Sequence, residues 1–254
     1  MLINALKIAF SMYSKISMPR TDWNKENMKY AMCFFPLVGA VIGAIVVFFG
    51  NIADVLNLGN IFRTSIYVLI PVIITGGIHL DGFLDTSDAL SSYQDREKKL
   101  EILKDPHTGA FAIISAAAYF VLQFGVWSEV KGKSLLILAL GFVLSRSLSG
   151  LSIVTFKCAK NSGLAASFSD AAQKERVKYT MYFYIVLVFI LMVLVDKFLG
   201  IAAFVSAILV FLHYKHMSMK EFGGITGDLA GYFLQVSEVL MALTVVLLEK
   251  ILLM

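Results

Sequence analysis

Seven long apolar stretches separated by short polar segments dominate the chain: Ala31–Gly50, Ile61–Ile78, Gly109–Trp127, Ser134–Thr155, Tyr179–Val195, Leu199–Tyr214 and Leu229–Leu248. A hydrocarbon layer about 30 Å thick needs about 20 helical residues to cross it, so each stretch predicts a membrane-spanning helix. Two are marginal in length, and Leu199–Tyr214 reads as a tilted or half-buried helix. Ahead of them, Met1–Lys15 is amphipathic. Asn4, Lys7, Ser11, Ser14 and Lys15 project to one side of a helical wheel, and Leu2, Leu6, Ala9, Phe10 and Tyr13 to the other. That pattern suits a helix lying in the headgroup plane. A polar loop, Met18–Lys29, follows, with Pro19 as its breaker. The expected fold class is all-α: a polytopic integral membrane bundle of about seven transmembrane helices with an N-terminal interfacial helix. No internal repeat or low-complexity segment interrupts residues 1–254, which read as a single membrane-embedded domain.

Composition agrees with this pattern. The chain is 58% hydrophobic, with a mean hydropathy of +0.78, against roughly 45–50% apolar residues in soluble domains. The net charge of +4 is small, and no nucleic-acid-binding motif accompanies it, so the expected surroundings are a lipid bilayer and small substrates. Cys33 and Cys158 sit in or beside apolar segments, without metal-ligand spacing, and read as buried thiols. The N-terminus lacks the pattern of a cleavable signal peptide. Lys and Arg distribute sixteen to five between the two sets of loops. By the positive-inside rule the N-terminus is cytoplasmic and, after seven crossings of the cell membrane, the C-terminus is outside. The loops His79–Thr108 and Lys215–Asp228 then face the cytoplasm.

The first of those loops opens with Thr75–Leu90, TGGIHLDGFLDTSDAL. Asp81, Asp85 and Asp88 are spaced i, i+4, i+7, which on a helix places them within an arc of about 60°. Three carboxylates on one stripe repel one another, and a divalent cation removes that repulsion. Hard cations such as Mg²⁺ prefer oxygen ligands and keep water and substrate phosphate in the remaining positions. A solvated acidic face is the plainer alternative. His79 could donate to a phosphate or transfer a proton; an interfacial hydrogen-bonder is its plainer reading. Glu101 and Asp105 form a like-charged i, i+4 pair that a helix avoids without reason, so they are candidates for a second metal or a base. Gly223-Gly224-Ile225-Thr226-Gly227-Asp228 precedes the last span. Such loops can cradle phosphate through backbone N–H groups, although the same composition makes an ordinary turn. Arg146 and Glu238 fall within predicted spans, where a charge requires a partner or a wet cavity. They are either a structural ion pair or, for Arg146, a phosphate ligand.

These stretches resemble the cobalamin synthase family, the adenosylcobinamide-GDP ribazoletransferases. GGIHLDGFLDTSDAL is similar to the family signature. Glu101–Phe111 (EILKDPHTGAF), Gly163–Phe168 after Lys157 and Lys160, and Gly223–Glu238 (GGITGDLAGYFLQVSE) resemble further family stretches in the same order. Lys15–Pro19 and Phe35–Gly39 also fit; Ser17 stands where the family favours proline. The resemblance implies an Mg²⁺-dependent membrane transferase that joins adenosylcobinamide-GDP to α-ribazole, or its phosphate, and releases GMP. It implies Asp81, Asp85 and Asp88 as metal ligands, and His79, Asp105 or Asp228 as acceptor of the hydroxyl proton. Lys104, Arg146 and Lys160, with Gly224, Thr226, Gly227 and Glu238, are the implied substrate-binding groups. A homo-oligomer is compatible with it.

Two other classes compete. CDP-alcohol phosphatidyltransferases also use spaced aspartates beginning with Asp-Gly, but Leu84-Asp85 stands where Ala-Arg belongs. A cation-coupled transporter would scatter acids at mid-membrane, where only Glu238 qualifies.

Overall fold

The computed structural model describes residues 1–160 and 163–254. The N-terminal amphipathic segment forms α1 (Leu2–Tyr13), followed by a short α2 (Lys25–Met28) and a 3₁₀ turn (Ala31–Phe34). Then come α3 (Phe35–Val55), α4 (Asn60–Thr75), α5 (Ile78–Ser91), α6 (Arg96–Ile102), α7 (Ala110–Trp127) and α8 (Lys133–Thr155). The chain ends with α9 (Leu164–Ala171), α10 (Lys174–Val195), α11 (Lys197–Met217), a π-helical turn (Ser218–Phe222) and α12 (Gly227–Leu252). Among the described residues the only extended pairing is an isolated bridge between Cys158 and Ile225. The expected all-helical class is therefore found.

Among the described residues six helical stretches are long and apolar enough to cross a membrane, or seven if the bent pair α4–α5 counts as one span. Leu199–Tyr214 is one correction. It lies within the 21-residue α11, long enough to cross rather than half-buried. Its N-terminus extends because Asp196 caps it, accepting from the Phe198 and Leu199 amides. Outward-facing Phe48, Ile113, Val121, Phe183 and Leu194 are exposed on the bundle surface, as lipid-facing positions must be.

α8 is the central post, buried from Ile137 to Ile153 on nearly every side. Its serines allow this. Ser147 donates to the Val143 carbonyl and Ser152 to the Ser149 carbonyl, each at 2.7 Å, so neither hydroxyl is left unpaired in the interior. Gly39 and Gly43 of α3 press against the Phe142 and Ala139 carbonyls of α8, a close approach that small residues permit in membranes.

The corner between α4 and α5 positions the chemistry. Gly76 (φ 65°) and Gly77 (φ 80°) both take the left-handed conformation that side chains disfavour, and α5 leaves at 95° to α4. α5 thus stops following the span and turns across the end of the bundle. Lys15, just after α1, lies over Gly76 and donates its amide to the Ile74 carbonyl at 2.7 Å.

Candidate active site

α5 carries the aspartate stripe, and α12 meets it backbone to backbone. A β-carbon on Gly82 would lie 2.7 Å from the Asp228 carbonyl oxygen, and one on Gly231 would lie 2.8 Å from that of His79. Only glycine at both crossing points lets the helices approach this closely. The contact carries Asp228, in the first turn of α12, into the field of Asp81 and Asp85.

Asp81 is exposed, and Asp85 and Asp88 are half-buried. The Asp85 carboxyl is pushed up to about 6, first by burial and then by the charges of Asp81, Asp228 and Asp88. Asp88 lies against Gly109, which precedes α7 and leaves room for the carboxylate at that helix's N-terminus. A seven-residue separation spans about 10 Å of helix axis, so one ion does not reach both Asp81 and Asp88. Correspondingly, no three carboxylate, histidine or cysteine groups converge into an ion cage among the described residues. The donor chemistry nevertheless fits Mg²⁺, which is usually held by one or two carboxylates plus water and substrate phosphate.

Two chambers meet at Asp228. One, of about 310 Å³, is lined by Tyr13, Phe35, His79, Ile153 and Leu234, with Asp81 and Asp228 also in its wall. The other, of about 230 Å³, holds Lys104 and Lys160 beside Leu100, Leu103 and Thr226. Leu164, Ala165, Gly227 and Asp228 line both and form the partition. In the second chamber the Lys160 ammonium is held below its ordinary pKa, by desolvation and then by the neighbouring Lys104. Two cations in one recess are what a phosphate would relieve.

The glycine-rich turn is fixed by its neighbours. Ile225 donates to the Lys157 carbonyl at 2.8 Å, and Ala159 donates to the Ile225 carbonyl at 2.9 Å. Thr226 caps α12 by accepting from the Leu229 amide at 3.2 Å, and its hydroxyl lies 3.4 Å from the Asp228 carboxylate. Gly224 packs against Lys157, Cys158 and Ala159. The turn therefore carries Thr226, Gly227 and Asp228 into the lysine chamber, whereas Gly224 belongs to its support. Lys99, on α6, reaches Glu221 of the π-helical turn at 2.5 Å and ties the chamber roof to this turn.

The other sequence candidates fall elsewhere. Arg146 is 1% exposed inside the bundle, where it donates to Glu238 at 2.6 Å and to the Phe142 carbonyl at 3.0 Å. Ser145 also donates to Glu238, at 2.8 Å. These two charges form a buried ion pair and line neither chamber by the aspartates. Asp105 is exposed and bonded to His107, which holds its carboxyl below the usual range. Glu101 is exposed and pairs with Lys98. α6 ends at Ile102, so the expected helical pair of Glu101 with Asp105 does not form. His79 does stand at the site. It is 4% exposed, and burial, then the Arg146 charge, drives its imidazole well below the ordinary pKa.

Sequence reasoning passed over Tyr13 and Phe35 as chamber walls. Tyr13 sits on the amphipathic face of α1 that reads as lipid-directed, and no periodicity distinguishes a lipid contact from a pocket contact.

The family model described as cobalamin-5-phosphate synthase matches residues 5–246. A protein of Lachnoclostridium phytofermentans named adenosylcobinamide-GDP ribazoletransferase is 50% identical over 98% of this chain and 95% of its own length. Proteins of the same name from Clostridium botulinum (strain Alaska E43) and Desulfitobacterium hafniense are 35% and 30% identical; each match covers 94% of this chain and 95% and 94% of the relative. No solved structure matches the chain. With the family match covering residues 5–246 and the relatives agreeing, the chain belongs to the cobalamin-5-phosphate synthase family.

Proposed function

We propose that this protein joins adenosylcobinamide-GDP to α-ribazole, or to its 5'-phosphate, and releases GMP, with the active site on the cytoplasmic face of the cell membrane. The observation that carries the reading is the pair of chambers meeting at Asp228, one cationic and one largely apolar, beside the aspartates of α5. The donor's diphosphate suits the chamber of Lys104 and Lys160, and the acceptor nucleoside suits the other. A hydroxyl of the acceptor ribose then meets the phosphorus at the partition. The new O–P bond forms as the P–O bond to GMP breaks, and the hydroxyl proton passes to a carboxylate. Of His79, Asp105 and Asp228, Asp228 is the residue lining both chambers, so it is assigned as proton acceptor.

Asp81 and Asp85 would hold Mg²⁺, which when bound supplies charge neutralisation for the diphosphate, while Asp88, too far along the helix to share that ion with Asp81, stands at the N-terminus of α7. Positioning and charge compensation account for most of such a phosphoryl transfer, and this site offers both. The test is incubation of detergent-purified protein with both substrates and Mg²⁺, following GMP and cobalamin by chromatography. GMP and cobalamin in equal amounts support the reading. Formation of a phospholipid from a CDP-alcohol, with no cobalamin, would overturn it. Asp81→Asn and Asp85→Asn are each expected to abolish turnover while membrane insertion stays normal.

A further inference from the structure

The chamber beside α5 has features that the transfer chemistry does not use. His79 is almost wholly buried, and neither ring nitrogen has a hydrogen-bond partner among the described residues. A buried polar group left unpaired is costly, so a ligand that pairs with it recovers that energy on binding. The imidazole is stacked with Tyr13, centroids 5.9 Å apart and planes 17° from parallel, and Phe35 lies 5.8 Å away, itself packed on Tyr13 with centroids 4.2 Å apart. Met12, Met32, Ile153 and Leu234 complete the wall. The volume of about 310 Å³ falls within the usual range for small-molecule pockets.

This composition discriminates between the two aromatic bases that the proposed reaction brings together. Guanine carries an amine, an N–H and a carbonyl along one edge, each needing a partner when buried. Away from the carboxylates the chamber offers His79, Ser149 and the Tyr13 hydroxyl, and the last of these already donates to the Met32 sulfur. Asp81 and Asp228 are acids placed toward α5 and the partition. A flat ring with a single unprotonated nitrogen and no polar edge, such as benzimidazole, needs one hydrogen bond and otherwise apolar contact.

We infer that this chamber seats the base of the acceptor nucleoside, a flat, weakly polar heteroaromatic ring that packs among Tyr13, Phe35 and the methionines and hydrogen-bonds to His79. His79 is thus a specificity-determining residue for the acceptor. The inference rests on the reaction proposed above, because that reaction supplies the two competing bases.

Calorimetric titration of the full-length protein in detergent tests it without turnover. The probes are α-ribazole and, separately, GMP. His79→Leu is expected to weaken α-ribazole binding about tenfold or more and to leave GMP binding within about twofold, while His79→Gln recovers part of the loss. Tyr13→Leu, on a different helix, is expected to weaken α-ribazole in the same direction, and thermal melts identify any variant that has not folded. Unchanged α-ribazole affinity in folded His79→Leu and Tyr13→Leu overturns the inference, as does a selective loss of GMP binding, which would place guanine here. Failure of the wild type to release GMP in the turnover assay counts against the reaction. Normal turnover together with unaltered α-ribazole affinity in the variants counts against the chamber assignment alone.

Discussion

Asp85 is a carboxylic acid held close to neutrality by its surroundings. Its pKa in the folded protein, about 6, lies above the ordinary 3.8. The folded state therefore binds the proton more tightly than the unfolded chain. The stabilisation from that proton is complete below about pH 4 and is lost as pH rises through about 6. Metal-free protein should accordingly melt at lower temperature at pH 7 than at pH 5, and the difference should shrink in Asp85→Asn. Differential scanning fluorimetry across that interval checks it; a flat profile in the wild type would show that the carboxylates do not repel. The three aspartates of α5 were legible because an i, i+4, i+7 spacing is a local property of sequence. The helical pairing of Glu101 with Asp105 fails for an equally local reason. Pro106 comes next and disfavours helical backbone at Asp105, so the run that begins at Arg96 ends at Ile102. Asp228 was visible as a motif, but its place opposite Asp81 depends on a contact between distant helices.

At the scale of elements, the site depends on how closely α5 approaches α12. Gly82→Ala places a carbon 2.7 Å from the Asp228 backbone, which must move because no flexible side chain is there to yield. Misplacement of reacting groups by about 1 Å costs on the order of 10²-fold in rate. A loss of that order is expected in Gly82→Ala, with Gly125→Ala, which meets nothing within 4 Å, as the control of unchanged rate. The crossing left only a faint trace in sequence: Gly231 sits at it, whereas Gly227, four residues earlier, meets nothing within 4 Å. The trace does not say which partner arrives. The Arg146–Glu238 pair belongs to the same scale, joining α8 to α12. Glu238→Ala leaves an uncompensated buried guanidinium and should destabilise by about 3–5 kcal/mol. Replacing both charges, as Arg146→Met with Glu238→Leu, should recover most of that loss in a thermal melt. A double variant no more stable than the single would show that Arg146 has a further partner. Sequence alone left this pair open between structure and phosphate binding, because a charge in a span announces a need for a partner without naming it.

At the scale of the whole molecule, six apolar helices and the bent pair α4–α5 allow seven crossings, and with that number the asymmetry of basic residues predicts that both chambers face the cytoplasm. With Cys33 and Cys158 replaced by serine, a cysteine at the fully exposed Tyr93 should resist a membrane-impermeant maleimide in intact cells, and one at Lys131 should react. The reverse pattern would invert the topology. Span number and class were readable because hydrocarbon thickness sets helix length almost independently of packing. The corner at Gly76 and Gly77 was not. Two adjacent glycines permit a right-angled turn, but what fixes its direction is the packing of α5 on α12 and of Lys15 on the corner.

The N-terminal helix has a consequence beyond anchoring. Tyr13 and Met12 belong to the chamber wall, and Lys15 covers the hinge from which α5 departs, while Met1, Leu2 and Ile3 at the other end of α1 are exposed. One short rod thus carries exposed apolar side chains at its tip and part of the cavity wall at its base, so whatever holds the tip also bears on the shape of the cavity.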